Sequence, residues 1–307
     1  IALESKELSK FEESSNIYLP KGFPPNPEQY LSLGNLSKTL KIIAEKGANE
    51  FYNGKLAEEI SNDLKIGGSR ITIEDLSSYK PELIEPLSFN YKGKTIFTDG
   101  ENSGGSRLKD TFKFLEENLN SKSFGSETYV NYAQALNYAF KLHRKKLKKI
   151  VNHGCTSHMS SVDSEGNMVA LTYTLLNRFG SKVVLPKTGI LMNNSVSYFD
   201  PRPGYPTSMS GRKRINSSNM CPTICVKNDK AFFSIGASGA NHIVPCTMQI
   251  AGFLLDYDFT IEEAFNLPRI DVNETNTITV DPKIDSITIK ELKNYFKVKI
   301  AQNIVFP

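Results

Sequence analysis

Leu36, Leu40 and Ile43 recur at helical spacing, and beyond a break at Gly47 so do Leu56, Ile60 and Leu64. Two apolar stripes of this kind predict two amphipathic helices ahead of the Gly67-Gly68 pair. Upstream, charged residues mixed with Pro20, Pro24, Pro25 and Pro27 suit a short helix followed by an extended segment. Thr72 three residues before Asp75 marks a helix start. In LSFNYKGKTIFT, β-prone residues on both sides of Lys92-Gly93 predict two strands and a tight turn. NSGGSRLKDTFKFLEENL reads as a glycine-rich loop feeding a helix, and helical periodicity resumes from Ser126. The second half changes character. HMSSVD, NMVALTYTL, CPTICVK and KAFFSIGA are short, β-branched or aromatic, and separated by turn residues, as strands are. Helices return in VPCTMQIAGFLLDYD, FTIEEAFNLP and ITIKELKNYF. The last two carry Thr260 with Glu263 and Thr288 with Glu291, each spaced as a capping box. Strands flanked by helices at both ends predict a layered α/β architecture.

Composition narrows the function more than the fold. With 37 basic against 33 acidic residues in a chain of 307, the net charge of +4 creates no strong field for a polyanion, so nucleic acid is not implied. Seven of the nine residues 141–149 are basic, which reads as a solvated helix face. Cys155, Cys221, Cys225 and Cys246 lack CxxC pairing and read as free thiols, three of them buried. No apolar run approaches the roughly 18 residues that span a bilayer, and no signal segment opens the chain at Ile1, which leaves the compartment open between cytoplasm and export.

The chemistry concentrates in GCTSHMSSVDSEGN, residues 154–167. If the peptide bond before Thr156 is cut, that residue carries a hydroxyl and a free α-amine. An amine with a pKa of about 8 accepts the hydroxyl proton near neutrality, so one residue supplies nucleophile and base. A strand from Thr156, turning at Ser164-Glu165-Gly166 and returning to Leu175, would hold it rigidly, with Thr174 placed to donate a hydrogen bond to it. Without cleavage, the same stretch is a hairpin with hydroxyls on its solvent face. Rivals stand beside Thr156. Cys155 is the stronger intrinsic nucleophile and would be exposed by a cut one residue earlier. His153 and His158 fall on opposite strand faces, which argues against a shared metal. GASGA at 236–240 misses the last glycine of a nucleophile elbow, and only His242 follows it. Its role is better read as a loop whose backbone N–H groups face a negative charge.

Together TSHMSSVDSEGN, TLLNRFGS, TGILMNN, RKRINSSNMCPTI, IGASGANHIV and NLPRI strongly resemble the gamma-glutamyltransferase family. Upstream, GGSRITIEDLSSYKPE and NSGG are similar to the end of that family's large subunit. The resemblance implies an N-terminal-nucleophile hydrolase with a four-layer αββα sandwich, requiring no cofactor and cut by itself between Cys155 and Thr156. Residues 1–155 would then be the C-terminal part of the large-subunit-like region and 156–307 the small-subunit-like region, in one folded domain. By the same resemblance Thr156 is the nucleophile and Thr174 its hydrogen-bond partner. Gly239 and Ala240 match the glycine pair whose amides form the oxyanion hole, and Ser217 and Ser218 match the paired serines of the donor pocket.

Departures from the family pattern bear on the substrate. Leu176 stands where the family has asparagine, with Asn177 beside it. Ser195 and Tyr198 replace polar or acidic residues that hold the substrate's α-amino group, leaving Asp200 as the nearest carboxylate. A pocket without its carboxylate loses the charge-assisted bond that selects an α-ammonium. Three readings stand: a gamma-glutamyl transferase or hydrolase passing the acyl group to an amino acid or water, a related acylase acting on another amide, and an unprocessed homologue that binds without turnover. Cleaved subunits are the implied partners, and homo-oligomerisation is left open. Family segments expected before Ile1 and between Ile150 and Thr156 are not represented in this sequence.

Overall fold

The structure, a computed structural model, describes residues 1–100, 103–143, 154–199, 202–203 and 218–302. They form a mixed α/β arrangement in two compact units.

The first unit joins Ile1–Leu83 to Leu175–Ser195. Its helices are α1 (Ser5–Leu8), α2 (Glu12–Tyr18), α3 (Leu36–Lys46), α4 (Ala48–Asn53), α5 (Lys55–Ile66) and α6 (Ile73–Ser78). Gly47 ends α3 at φ 76, a left-handed stop that suits glycine. From Leu36 to Gly67 there are three helices, not the two that the stripes predict, because ANEFYN is too short to show a periodic stripe yet closes into α4. Leu56, Ile60 and Leu64 face a small core with Leu185, as their spacing predicts. The α3 stripe behaves differently: Leu40 is exposed, and Thr39 is the buried residue, donating to the Thr188 carbonyl at 2.7 Å. Segment 175–195 is woven in by such bonds. Ser14 Oγ donates to Lys182 O, and Asp63 accepts from the Lys187 N–H at 2.8 Å.

The second unit joins Ile84–Thr174 to Val196–Pro307. Strands β1 (Leu87–Tyr91) and β2 (Lys94–Thr98) meet at Lys92 (φ 46) and Gly93 (φ 73), the pair of left-handed residues that a two-residue hairpin needs. Helices α7 (Gly104–Asn118) and α8 (Ser126–His143) follow, then β3 (Gly154–Val162) and β4 (Met168–Asn177). Next come β5 (Thr223–Lys227), β6 (Lys230–Ile235) and α9 (Ile243–Asp256). Then α10 (Ile261–Asn266), β7 (Ile270–Glu274), β8 (Thr277–Val280), α11 (Ser286–Lys293) and β9 (Lys297–Ile300) end the chain's described part. One sheet runs β1-β2-β5-β6, all antiparallel; β3-β4 form a second and β7-β8-β9 a third. Helix α7 packs on α8, α9 and β1, while α8 and α9 meet β7. Phe112, Tyr132, Met248 and Phe253 sit in the core between them, each at 1% exposure or less. Side chains of this size contribute about 1.5–3 kcal/mol apiece on burial, which fixes the helices against the sheets.

Local signals are kept in part. Thr72–Asp75 and Thr260–Glu263 are complete capping boxes at α6 and α10. At α11 the cap is Asp285, whose carboxylate accepts from the Ile287 and Thr288 N–H groups, so Thr288 lies inside the first turn and is not the cap. Aspartate is the better acceptor, and it takes the end. Cys221 and Cys225 are buried and Cys155 and Cys246 half-buried, so two thiols, not three, are core; all four are free. The basic stretch is described only as far as His143: Lys141 and Leu142 are exposed, while His143 is buried against Asp110 at 2.6 Å, and the rest of the stretch lies outside the described residues. Among the described residues no helix is long and apolar enough to cross a membrane.

Candidate active site

A tight turn sets the register of β3 and β4. The Asp163 carboxylate accepts from the Glu165 and Asn167 N–H groups at 2.9 Å each, and Asp163 N donates to Asn167 O. Pairing back from that turn brings Thr156 opposite Thr174 and His158 opposite Thr172. Thr156 Oγ1 donates to Thr174 Oγ1 at 3.3 Å, and Thr174 Oγ1 donates to the Cys155 carbonyl at 3.2 Å. The donation anticipated from Thr174 to Thr156 therefore runs the other way in the uncut chain. Thr174 has one proton, and the carbonyl of the bond ahead of Thr156 takes it.

His158, on the same strand face as Thr156, is held at both ring nitrogens. Ser160 Oγ donates to Ser234 O at 3.1 Å, which leaves it to accept from His158 Nε2, also at 3.1 Å. Nδ1 then accepts from Thr172 Oγ1 at 2.8 Å. Burial lowers the His158 pKa, consistent with a neutral ring. Gly236 lies flat against that ring, and a Cβ there would fall on Nδ1. The first glycine of GASGA is thus a packing requirement of β3.

The rest of GASGA forms a turn into α9. Gly239 adopts φ 98 and Ala240 φ 55, two successive left-handed residues, before a short helical turn over Ala240–His242. Alanine in that region costs roughly 1 kcal/mol over glycine. This turn packs against β3. Asn241 Oδ1 accepts from Asn219 Nδ2 at 3.2 Å, and Asn219 Oδ1 accepts from the buried Arg107 of α7 at 3.4 Å. Ser218 Oγ accepts from Met220 N at 3.2 Å, shaping the same loop. Gly104, from NSGG, donates its N–H to Met220 O at 3.0 Å, and a Cβ there would come within 2.6 Å of the Asn219 and Met220 carbonyls. The glycine pair so seats the start of α7 beside the 218–220 loop. Next to it, burial pushes the Asp99 pKa up to about 6, against the lowering effect of bonds from Ser103 and the Gly105 N–H.

The structure brings Cys155, Thr156 and Thr174 together. It also gathers Ser218, Gly239 and Ala240 around the Asn219–Asn241 link. Asn177 belongs to the first unit, where its N–H donates to Asn194 Oδ1 at 3.0 Å. Leu176 is left-handed at φ 72. Ser217, Asp200 and His153 lie outside the described residues. Among the described residues no three His, Cys, Asp or Glu side chains group as metal ligands do. Sequence reasoning missed Arg107, Asn219, Asn241 and the pairing of His242 with Asp271. Each partner is distant in sequence, so no local spacing announces it.

The family pattern described as Gamma-glutamyltranspeptidase matches residues 1–150 and 140–304. The chain is 30% identical to the glutathione hydrolase proenzyme of Escherichia coli (strain K12), over 86% of this chain and 55% of that protein. To the Acylase ACY 1 proenzyme of Pseudomonas sp. (strain SE83) it is 28% identical, over 83% of this chain and 52% of that protein. The chain therefore spans about half the length of the curated relatives it matches. A crystal structure of cephalosporin acylase from Bacillus halodurans superposes with a TM-score of 0.83 at 20% identity, over 98% of this chain and 63% of that one, which is likeness of fold.

Proposed function

The chain belongs to the gamma-glutamyltranspeptidase family, and on that premise we propose that it is an N-terminal-threonine amidohydrolase or acyltransferase, matured by cleavage between Cys155 and Thr156. We take its complete fold to be the four-layer αββα sandwich of N-terminal-nucleophile hydrolases. The observation that carries the reading is the Thr174 hydroxyl, which donates to the Cys155 carbonyl and accepts from the Thr156 hydroxyl. Maturation begins when Thr156 Oγ attacks the Cys155 carbonyl carbon. Thr174 donates to the oxygen as it gains charge, the C–N bond breaks, and the amide nitrogen takes the proton that Thr156 Oγ gives up, becoming the α-amine. Water then hydrolyses the resulting ester, leaving Cys155 as a carboxylate and Thr156 as a free N-terminus.

In the mature form the α-amine, with an ordinary pKa of about 8, takes the proton from Thr156 Oγ as it attacks a substrate amide. The Gly239 and Ala240 N–H groups receive the oxyanion. Such donors are worth about 100- to 1,000-fold each in turnover. The acyl-threonine then passes its acyl group to water or to an amino acid. Ser217, Ser218 and Asp200 are proposed to hold the donor. Because one residue is nucleophile and base, the chemistry asks for no cofactor.

Freshly purified protein tests this by intact mass and N-terminal sequencing. A fragment beginning at Thr156, absent from Thr156→Ala, is the expected result; a fragment beginning at Cys155, or an active uncut chain, would overturn it. A second reading, an acylase for substrates without an α-amino group, is favoured by Leu176 in place of a polar residue. A gamma-glutamyl anilide assayed against its glutaryl counterpart separates the two, since only the first carries that amine.

A further inference from the structure

The turn at Gly239-Ala240 holds a conformation that a residue with a Cβ resists, and such backbone persists only where its surroundings over-determine it. The next two residues supply that restraint in different directions. Asn241 is tied through Asn219 to Arg107 of α7. His242 reaches β7, where its Nδ1 lies 2.8 Å from Asp271 Oδ2. Asp271 is 2% exposed, and neither carboxylate oxygen has an aligned hydrogen bond among the described residues. The imidazole thus lies directly against a carboxylate taken out of water. Cys246 and Gln249 of α9 and Arg269 ahead of β7 surround the pair, with no water-sized space between them. That packing leaves no room for a ligand and points to a structural linkage between the turn and β7.

We propose that His242 and Asp271 are a positioning pair: by tying the turn to β7, they hold the Gly239 and Ala240 N–H groups in the orientation that receives the oxyanion formed at Thr156. This inference rests on the acyl-transfer reading. The pair does not touch substrate and acts through the backbone, so it favours the transition state without contributing to ground-state binding. A pH dependence follows. The Asp271 contact raises the His242 pKa, against partial burial, which lowers it. The folded state therefore favours the imidazolium, and the clamp is at full strength below the ordinary histidine pKa and weakens as pH rises through the raised one. Of the other groups facing the pair, Cys246 has its thiol pKa pushed up by burial, and the Arg269 guanidinium lies beside it.

The test compares cut, folded wild type with His242→Gln, Asp271→Asn and the double variant, using a gamma-glutamyl p-nitroanilide across pH. Each single change is expected to lower kcat by about tenfold or more while KM stays within about twofold. The double variant is expected to be no worse than the poorer single, and the alkaline fall in kcat to flatten in all three. Amide exchange at Gly239 and Ala240 supplies a readout independent of activity, and it should quicken in His242→Gln. Should Asp271→Asn fail to fold, His242→Gln alone decides. An unchanged kcat and unchanged exchange in His242→Gln would overturn the pair. A cut wild type inert towards amides would instead sink the acyl-transfer reading, while the exchange rates would still judge the clamp.

Discussion

Thr174 shows how much one hydroxyl contributes at the residue scale. In the uncut chain its proton goes to the Cys155 carbonyl, and its lone pairs take the Thr156 proton. Thr174→Val keeps the β-branched shape and removes both bonds, so packing should survive while self-cleavage slows by about 100-fold or more. Thr174→Ser keeps the hydroxyl and should cleave at close to the wild-type rate. A time course of the uncut band by intact mass checks both. Equal rates in Val and wild type would show that the carbonyl needs no help from this side chain. That Thr156 and Thr174 face each other was legible in the sequence, because a short turn fixes which hairpin residues are opposite. The direction of donation was not, since it depends on a carbonyl whose position only the folded chain supplies.

Among the elements, α7 starts on a buried acid. Asp99 accepts from Ser103 and the Gly105 N–H, and burial still holds its pKa at about 6, above the ordinary value near 3.8. The folded state thus prefers the protonated form. The stability this contributes is complete below about pH 4 and is lost as pH rises through about 6, an effect on the order of 1–3 kcal/mol. Asp99→Asn keeps an acceptor for Gly105 and carries no charge, so it should raise the urea midpoint at pH 8 and flatten the slope between pH 4 and 6. A lower midpoint at pH 8 would mean that the charge itself is stabilising. The helix was readable from its apolar spacing and the capping boxes at α6 and α10 from four-residue windows, because those bonds are local. At α11 two acceptors, Asp285 and Thr288, competed within one window, and only geometry chose between them. The partners of His143 and His242 lie 33 and 29 residues away, beyond any periodicity.

At the scale of the whole molecule, the second unit is pinned by phenols that must stay neutral. Asp256, at the end of α9, accepts from Tyr91 of β1 at 2.7 Å and from Tyr132 of α8 at 2.8 Å, and Lys92 lies 2.6 Å from the same carboxylate. Tyr129 donates to Pro268 O at 2.6 Å. Burial raises all three phenol pKa values far above the usual 10, and the Asp256 charge adds to the effect at Tyr91 and Tyr132. A group whose neutral form is favoured by folding contributes fully below its unfolded pKa and loses that contribution progressively as pH rises towards its raised folded one. Stability should therefore hold to about pH 10 and then fall steeply, with two or three protons released on unfolding. Tyr30, Tyr79 and Tyr295, by contrast, are exposed. Tyrosinate absorbance and far-UV circular dichroism, followed together in an alkaline titration, should show an early gradual phase without structural change. A late step should then coincide with the loss of helix signal. If absorbance is complete before the helix signal moves, the three phenols are reachable by solvent in the native state. The Asp256 node would then be a weaker tie between β1, α8 and α9 than its hydrogen bonds imply.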